Sequence, residues 1–346
     1  MLSMPIGEVP VTSHDVPSRM ARPGFAVLLF SAAMLAGLVA AAFVPGAPRL
    51  FGEVVDYIII ALVTLLFLDI RFKGAGQLIR APRTLSAVMG MNFLIIPILA
   101  FGLTAVTVPG DSMLRLGVLI YLLFPCTDWF LGFIRVTRGN AALGAALIPI
   151  NLLIQIALYP LWISLFTGDS LGSVLVVLGP ALLYGVVIPV GIAAALRLGL
   201  TLVADQGKAE AFRAKAGQPV PWVLAGMIFA LFAAYGREYI LAPTEFGQVL
   251  LAVFCFFLVT YVLIELMSRG LKLDYGNYSL LTFTASARNA PLMLAITALA
   301  FGEQPALLAA IVLGMLLEFP HLTALTWLLR RRRNRQHRSS QIGVQI

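Results

Sequence analysis

Apolar residues run along this chain in long blocks separated by short polar or charged connections. A hydrocarbon layer needs roughly 20 consecutive apolar residues per crossing helix. Ten blocks meet that need, at about 25–44, 54–70, 84–106, 113–134, 140–166, 173–196, 221–240, 247–267, 277–301 and 306–329. The pattern predicts an all-α polytopic membrane protein of ten transmembrane helices. Composition agrees: 60% of the 346 residues are apolar and 12% are charged, about half the charged share of a soluble domain.

Charge sets the orientation, because Lys and Arg in short loops stay on the cytoplasmic side. With both termini inside, twenty of the 24 basic residues fall in cytoplasmic segments; Arg49, Arg115 and Arg237 fall outside, and Arg288 falls within a helix. One missed helix would scramble every later loop, so the bias also supports the helix count. The net charge of +8 follows from topology and requires no nucleic-acid partner. The arginine-rich run from Arg330 to Arg338 reads first as a topological anchor and second as a contact for anionic lipid. The first 22 residues lack an apolar signal-peptide core.

Five helices per half is an odd number, so a duplicated half would sit upside down in the membrane, the inverted-repeat plan of many secondary transporters. The expected organisation is a disordered cytoplasmic N-terminus over 1–22, a first five-helix repeat over 23–168 and a second over 169–329. A cytoplasmic loop near 197–220 joins helices 6 and 7, and a basic cytoplasmic tail covers 330–346. The expected location is the inner cell membrane.

The fourth helix of each half is interrupted by proline and polar residues: Phe124-Pro125-Cys126-Thr127-Asp128 in helix 4, and Ser286-Ala287-Arg288-Asn289-Ala290-Pro291 in helix 9. Proline removes a backbone donor and clashes with the preceding turn. Free carbonyls at membrane depth persist only where protein or a wet cavity satisfies them. Two such breaks facing each other as crossing helices make a site, with half-helix ends suited to ions and small polar solutes. Pro97, Pro149, Pro160, Pro180 and Pro189 read as ordinary kinks. Helices 4 and 9 differ because each couples its proline to an ionisable residue, Asp128 or Arg288, and an intramembrane charge costs several kcal/mol unless paired or hydrated.

The fifth helix of each half extends the pattern. Asn151 follows Pro125, and Glu318 follows Pro291, by nearly the same interval, so both should face the centre. A carboxylate inside helix 10 must be neutral, paired or solvated; pairing with Arg288 is the structural alternative to a functional role. Asn92 and Gln155 are weaker polar candidates, expected to bond across helices. Met89, Met91, Trp129, Trp162 and Trp222 read as packing or interface residues, and His321 as a polar packing residue. Cys126 and Cys255 make no metal-type spacing, His14, His321 and His337 are scattered, and there is no nucleotide-binding glycine loop. No cofactor or metal is expected, and an intramembrane enzyme using Asp128 and Glu318 ranks far below a transporter. A passive channel is a further competitor.

At these residues the chain resembles the arsenical-resistance efflux transporters, a branch of the bile acid:sodium symporter superfamily. The likeness rests on Phe67-Leu68-Asp69-Ile70-Arg71-Phe72, Pro125-Cys126-Thr127, Asn151-Leu152-Leu153-Ile154-Gln155 and Leu317-Glu318-Phe319-Pro320. It implies proton-driven export of trivalent arsenite or antimonite without ATP hydrolysis by this subunit. A thiolate is a soft ligand and trivalent arsenic is thiophilic, so Cys126 would contact the solute; as a bare cysteine it would read as a buried space filler. The expected solute-binding residues are Cys126, Thr127, Asn289 and Asn151, and the expected proton-coupling residues are Asp128, Glu318 and Arg288.

Two departures stand out. Asp128 follows the cysteine motif where the family has an apolar run. Ser286, Ala287, Arg288 and Asn289 occupy the stretch that in sodium-coupled relatives resembles an acid followed by a Gly and a Gln-Asn pair, so the acid is lost and Arg288 is gained. A guanidinium stays protonated, and would stand permanently where a cation otherwise binds. The alternative is that Arg288 binds an anionic solute, making the chain an organic-anion or oxyanion carrier. The expected partners are the small solute, protons and membrane lipid, with no obligatory protein partner and a homodimer compatible with the sequence.

Overall fold

The computed structural model describes residues 23–69, 75–109, 112–127, 129–203, 205, 207, 211–212, 215–240, 243–302 and 304–342. The 1–22 leader, Arg71 and Phe72 of the second-helix motif, Asp128, and Lys208, Glu210 and Arg213 of the long loop lie outside the described residues.

The described chain is all helical: α1 (Pro23–Phe43), α2 (Ala47–Asp69), α3 (Ala75–Arg80), α4 (Pro82–Gly90), α5 (Ile96–Thr107), α6 (Ser112–Leu123), α7 (Phe130–Thr137), α8 (Ala141–Thr167), α9 (Leu171–Leu182), α10 (Ile188–Val203), α11 (Val220–Ile240), α12 (Pro243–Gly270), α13 (Tyr275–Ser286), α14 (Ala290–Phe301) and α15 (Pro305–Ile342). Among the described residues, seven helical stretches are long and apolar enough to cross a membrane, and three shorter apolar helices occupy 113–123, 220–236 and 290–301. This is a multi-pass membrane protein. Its outer surface carries large apolar side chains such as Leu28, Phe43, Ile98, Leu153, Val176 and Phe254, which suits a lipid solvent.

Proline shapes these helices in different ways. α4 runs into α5 through a wider π-helical turn, Met91–Ile95, and α9 into α10 through Leu183–Val187. Pro97 and Pro189 follow directly, and each would otherwise clash with the carbonyl four residues before it. Phe93 and Gly185 hold those carbonyls, and both lie in the widened turns, so the π turns absorb the clash without ending the span. Pro149 and Pro160 sit within α8, and Pro320 within α15, with the helix continuing past them.

Small residues let helices approach closely. α1 packs on α11, where a Cβ on Gly37 would run into the Phe229 carbonyl and the Phe232 side chain. α6 packs on α15, with Gly117 against the Leu307 backbone and Gly314 against the face of Tyr121. Small-residue contacts of this kind are the usual means of helix association where water supplies no driving force.

α8 runs beside α13 and α14 in the same direction. The Asn140 N–H donates to the Gly276 carbonyl at 3.0 Å, Gly144 lies against Leu280, and the hydroxyls of Tyr159 and Thr297 meet at 2.9 Å. The two helices also start together: Asn140 caps α8 by accepting the Leu143 N–H, Asp274 caps α13 by accepting the Asn277 N–H, and the Asn140 amide donates to Asn277 Oδ1 at 3.0 Å.

Candidate functional site

The sequence breaks at Pro125 and Pro291 correspond to two gaps in the helical structure, between α6 and α7 and between α13 and α14, and the gaps meet. Pro125 and Arg288 pair as antiparallel backbone neighbours. The Cys126 N–H donates to the Ala287 carbonyl at 3.0 Å, and the Asn289 N–H donates to the Phe124 carbonyl at 2.9 Å. Each extended segment satisfies polar groups the other exposes, which is what makes non-helical backbone tolerable inside an apolar fold. Pro291 lies in the first turn of α14, where its missing N–H leaves no unmet bond.

Arg288 is fully buried and holds both helix ends. Nη1 donates to the Leu122 carbonyl at the end of α6 at 3.1 Å; Nη2 donates to Thr284 at 3.1 Å and also to Ala285, both carbonyls of the last turn of α13. Its guanidinium lies 5.6 Å from the centre of the Phe256 ring. Two helix C-termini, each with a partial negative charge, thus converge on one permanent cation. This differs from a side-chain pair with Glu318: among the described residues no Arg288–Glu318 ion pair forms, carbonyls take hydrogens of both Nη atoms, and Nε is buried without a partner.

Glu318, also fully buried, is held from the other side. Its Oε2 accepts the Tyr121 hydroxyl at 3.0 Å and its Oε1 accepts Trp129 Nε1 at 2.9 Å, while the backbone N–H of Arg288 approaches the same carboxylate. Trp129 therefore does more than pack: it begins the turn into α7, and its ring lies 5.0 Å from that of Phe319. Tyr121 and Trp129 were invisible as site residues in sequence, since an aromatic in an apolar run carries no signal of what its polar tip meets. His321 stacks on Phe257, with ring centres 4.2 Å apart.

Cys126 is completely buried at the crossing, and the amide of Asn289 donates to Thr127 Oγ1 at 3.1 Å. Cys126, Thr127, Arg288 and Asn289 are thus brought together, and Glu318 stands beside them through Tyr121 and Trp129. Asp128 is outside the described residues. Asn151, on α8, makes no side-chain hydrogen bond to this group, and its interest is different. Both polar atoms of its side chain are buried without a hydrogen-bond partner in the protein, and so are both of Gln155, both of Asn92 and the Ser286 hydroxyl. The expectation that Asn92 and Gln155 bond across helices is not met. From the contacts at Gly144 and Tyr159, the parallel run of α8 puts Asn151 level with the second break and Gln155 level with the start of α14. Buried amides without partners are rare and ask for a reason.

Apolar helices with two breaks, joined at Pro125 and Arg288 around buried polar and charged groups, have the build of a membrane transporter. The comparison with known proteins places it further. The model of the sodium bile acid symporter family matches residues 57–243, over half of the chain, and the chain belongs to that family. It is also similar to the arsenical-resistance protein Acr3 of Corynebacterium glutamicum, with 23% identity over 281 residues that span 75% of this chain and 73% of that protein.

Proposed function

We propose that the protein is a secondary transporter that exports trivalent arsenite or antimonite in exchange for protons. In this reading ten spans form two inverted five-helix halves in the inner membrane, with both termini in the cytoplasm. The observation that carries the proposal is the meeting of the two breaks, with a buried thiol on one strand of the crossing and a buried carboxylate beside it. The likeness to an arsenical-resistance protein supports the choice of solute.

The chemistry needs few steps. Arsenous acid is neutral at working pH and reaches the crossing without a counter-ion. The Cys126 thiol exchanges for one of its hydroxyls: an As–S bond forms, an As–OH bond breaks, and the thiol proton leaves with the hydroxyl as water. A single thiol holds the solute loosely enough for the reverse step to release it. Thr127 and Asn289 orient the remaining hydroxyls, and the unpartnered Asn151 amide offers both a donor and an acceptor from the facing helix.

Coupling falls to the carboxyls. Glu318, or Asp128 two residues after Cys126 in the sequence, exchanges protons with the two sides of the membrane as the crossing is exposed alternately. Arg288 supplies at the two helix ends the positive charge that a coupling cation brings in other transporters of broken-helix design. That removes the need for sodium. Against the alternative of an anion carrier, both Nη atoms of Arg288 are engaged by Leu122, Thr284 and Ala285, and Nε alone is left without a partner.

The test is expression in an arsenite-sensitive host, comparing the wild type with Cys126→Ser at matched membrane levels. The proposal expects arsenite resistance from the wild type and its loss with the thiol. Resistance from neither, with both proteins inserted, sinks it.

A further inference from the structure

A second charged assembly lies outside the crossing, where α12 and α15 leave the apolar layer. α12 ends at Gly270, and the apolar run of the last span, inside α15, gives way to arginines at Arg330. α15 does not stop there but continues to Ile342 through the arginine-rich stretch. Between it and the end of α12 lies a cavity of about 650 Å³, whose walls include Tyr261 from α12, Tyr278 from α13, and Trp327, Arg331, Arg332 and Arg335 from α15. A smaller cavity of about 160 Å³ adjoins it across Tyr278 and Arg332, and adds Ser268, Arg269 and Lys272.

The charge around these cavities is unbalanced. Arg269, Lys272, Arg331, Arg332 and Arg335 line them, while the acid at their centre is Glu265, which already accepts Arg332 at 2.8 Å, Arg269 at 3.2 Å and the Tyr278 hydroxyl. The nearby Asp274 is occupied by Asn277 as the cap of α13. Among the described residues one carboxylate, Glu265, is set against Arg269, Lys272, Arg331 and Arg332, which leaves a net positive groove. Inside the smaller cavity the Ser268 hydroxyl, 7% exposed at the residue, has no partner in the protein.

The groove is amphipathic along its length. On α15, Trp327 and Leu328 are exposed apolar side chains; Arg331 follows one turn on, and Arg335 one turn further, about 12 Å from Trp327 along the helix axis. The Arg331 guanidinium lies 3.8 Å over the Trp327 ring, and Arg332 lies 4.6 Å over Tyr278. Aromatic side chains below and guanidinium groups above is the order of a membrane–water boundary. It matches a molecule with an apolar tail and an anionic head.

We propose that the groove between the end of α12 and the arginine-bearing turns of α15 binds one anionic phospholipid, its phosphate among Arg331, Arg332 and Arg335 and its acyl chains along Trp327 and Leu328. The lipid ties α12, α13 and α15 together at the membrane surface, on an element that also leads to the crossing. The site is independent of the identity of the transported solute.

Native mass spectrometry of the full-length chain in mild detergent, titrated with dioleoyl phosphatidylglycerol or dioleoyl phosphatidylcholine, tests this. The expected result is retention of one phosphatidylglycerol in preference to phosphatidylcholine, by roughly thirtyfold or more for two or three arginines at the surface. The Arg331→Gln/Arg335→Gln variant, which keeps the Arg332–Glu265 pair, should lose that preference. The single Arg335→Gln variant should lose part of it, and serves if the double variant does not fold. Equal retention of the two lipids by the wild type overturns the proposal, as does an unchanged preference in the variants. Displacement of the lipid by millimolar inorganic phosphate assigns the arginines to a soluble anion and overturns it too.

Discussion

Arg288 reaches across the crossing to the Leu122 carbonyl at 3.1 Å, so a side chain of one broken helix closes the end of the other. The same guanidinium turns back to its own helix at Thr284 and Ala285. The planar fork of arginine makes this two-sided grip, and a lysine ammonium, which is a point donor on a flexible stem, does not.

Arg288→Lys should therefore keep the charge and lose the grip. At least one buried carbonyl is left without a donor, at a cost of about 1–3 kcal/mol. Thermal unfolding in detergent should show a clear drop in melting temperature, and Arg288→Met a larger one. A lysine variant as stable as the wild type would mean that the charge alone, not its geometry, holds the helix ends.

The amides of Asn151 and Gln155 predict the opposite sign. Neither has a partner in the protein, so each carries a desolvation cost with no bond to offset it. Asn151→Leu and Gln155→Leu should leave thermal stability unchanged or raise it by about 1 kcal/mol. The same variants should raise the KM for the transported solute by roughly tenfold, as expected for a lost polar contact of about 1.4 kcal/mol. A loss of stability with normal transport kinetics would make these amides structural.

Gly314 sets the position of Tyr121. A Cβ at Gly314 would land on the Tyr121 ring, and the Tyr121 hydroxyl is one of the two side-chain donors on Glu318. Gly314→Ala should cost about 1–3 kcal/mol through overpacking and slow transport by moving a donor off the carboxylate. Gly314→Ala with stability and rate both intact would show that the α6–α15 contact yields without disturbing Glu318.

Much of this fold is legible in hydropathy. The apolar blocks coincide with helices because the solvent demands it, and proline with polar neighbours at Pro125 and Pro291 coincides with the breaks because no helix bond can form there. Pro97 and Pro189 needed the structure to reveal their π turns, since a proline does not announce whether a helix widens or ends. Arg288 and Glu318 are both legible as buried charges. Their partners are not, because the choice between a mutual ion pair and separate sets of donors depends on where two helix ends stand in space. Tyr121 and Trp129 show the same limit: their polar atoms are a small part of side chains that otherwise look like packing. For Asn92 and Gln155 the residue types point to cross-helix bonds, and only the absence of a facing partner distinguishes them.

The central claim is that the crossing couples solute to protons through a thiol and a carboxyl. The most direct measurement is arsenite uptake into everted membrane vesicles with an imposed proton gradient, made on the wild type, Cys126→Ser, Asp128→Asn and Glu318→Gln. The account predicts gradient-dependent accumulation by the wild type, its loss in the serine variant, and loss of gradient dependence in at least one carboxyl variant. Accumulation that survives collapse of the gradient, or that persists undiminished without the Cys126 thiol, would contradict it.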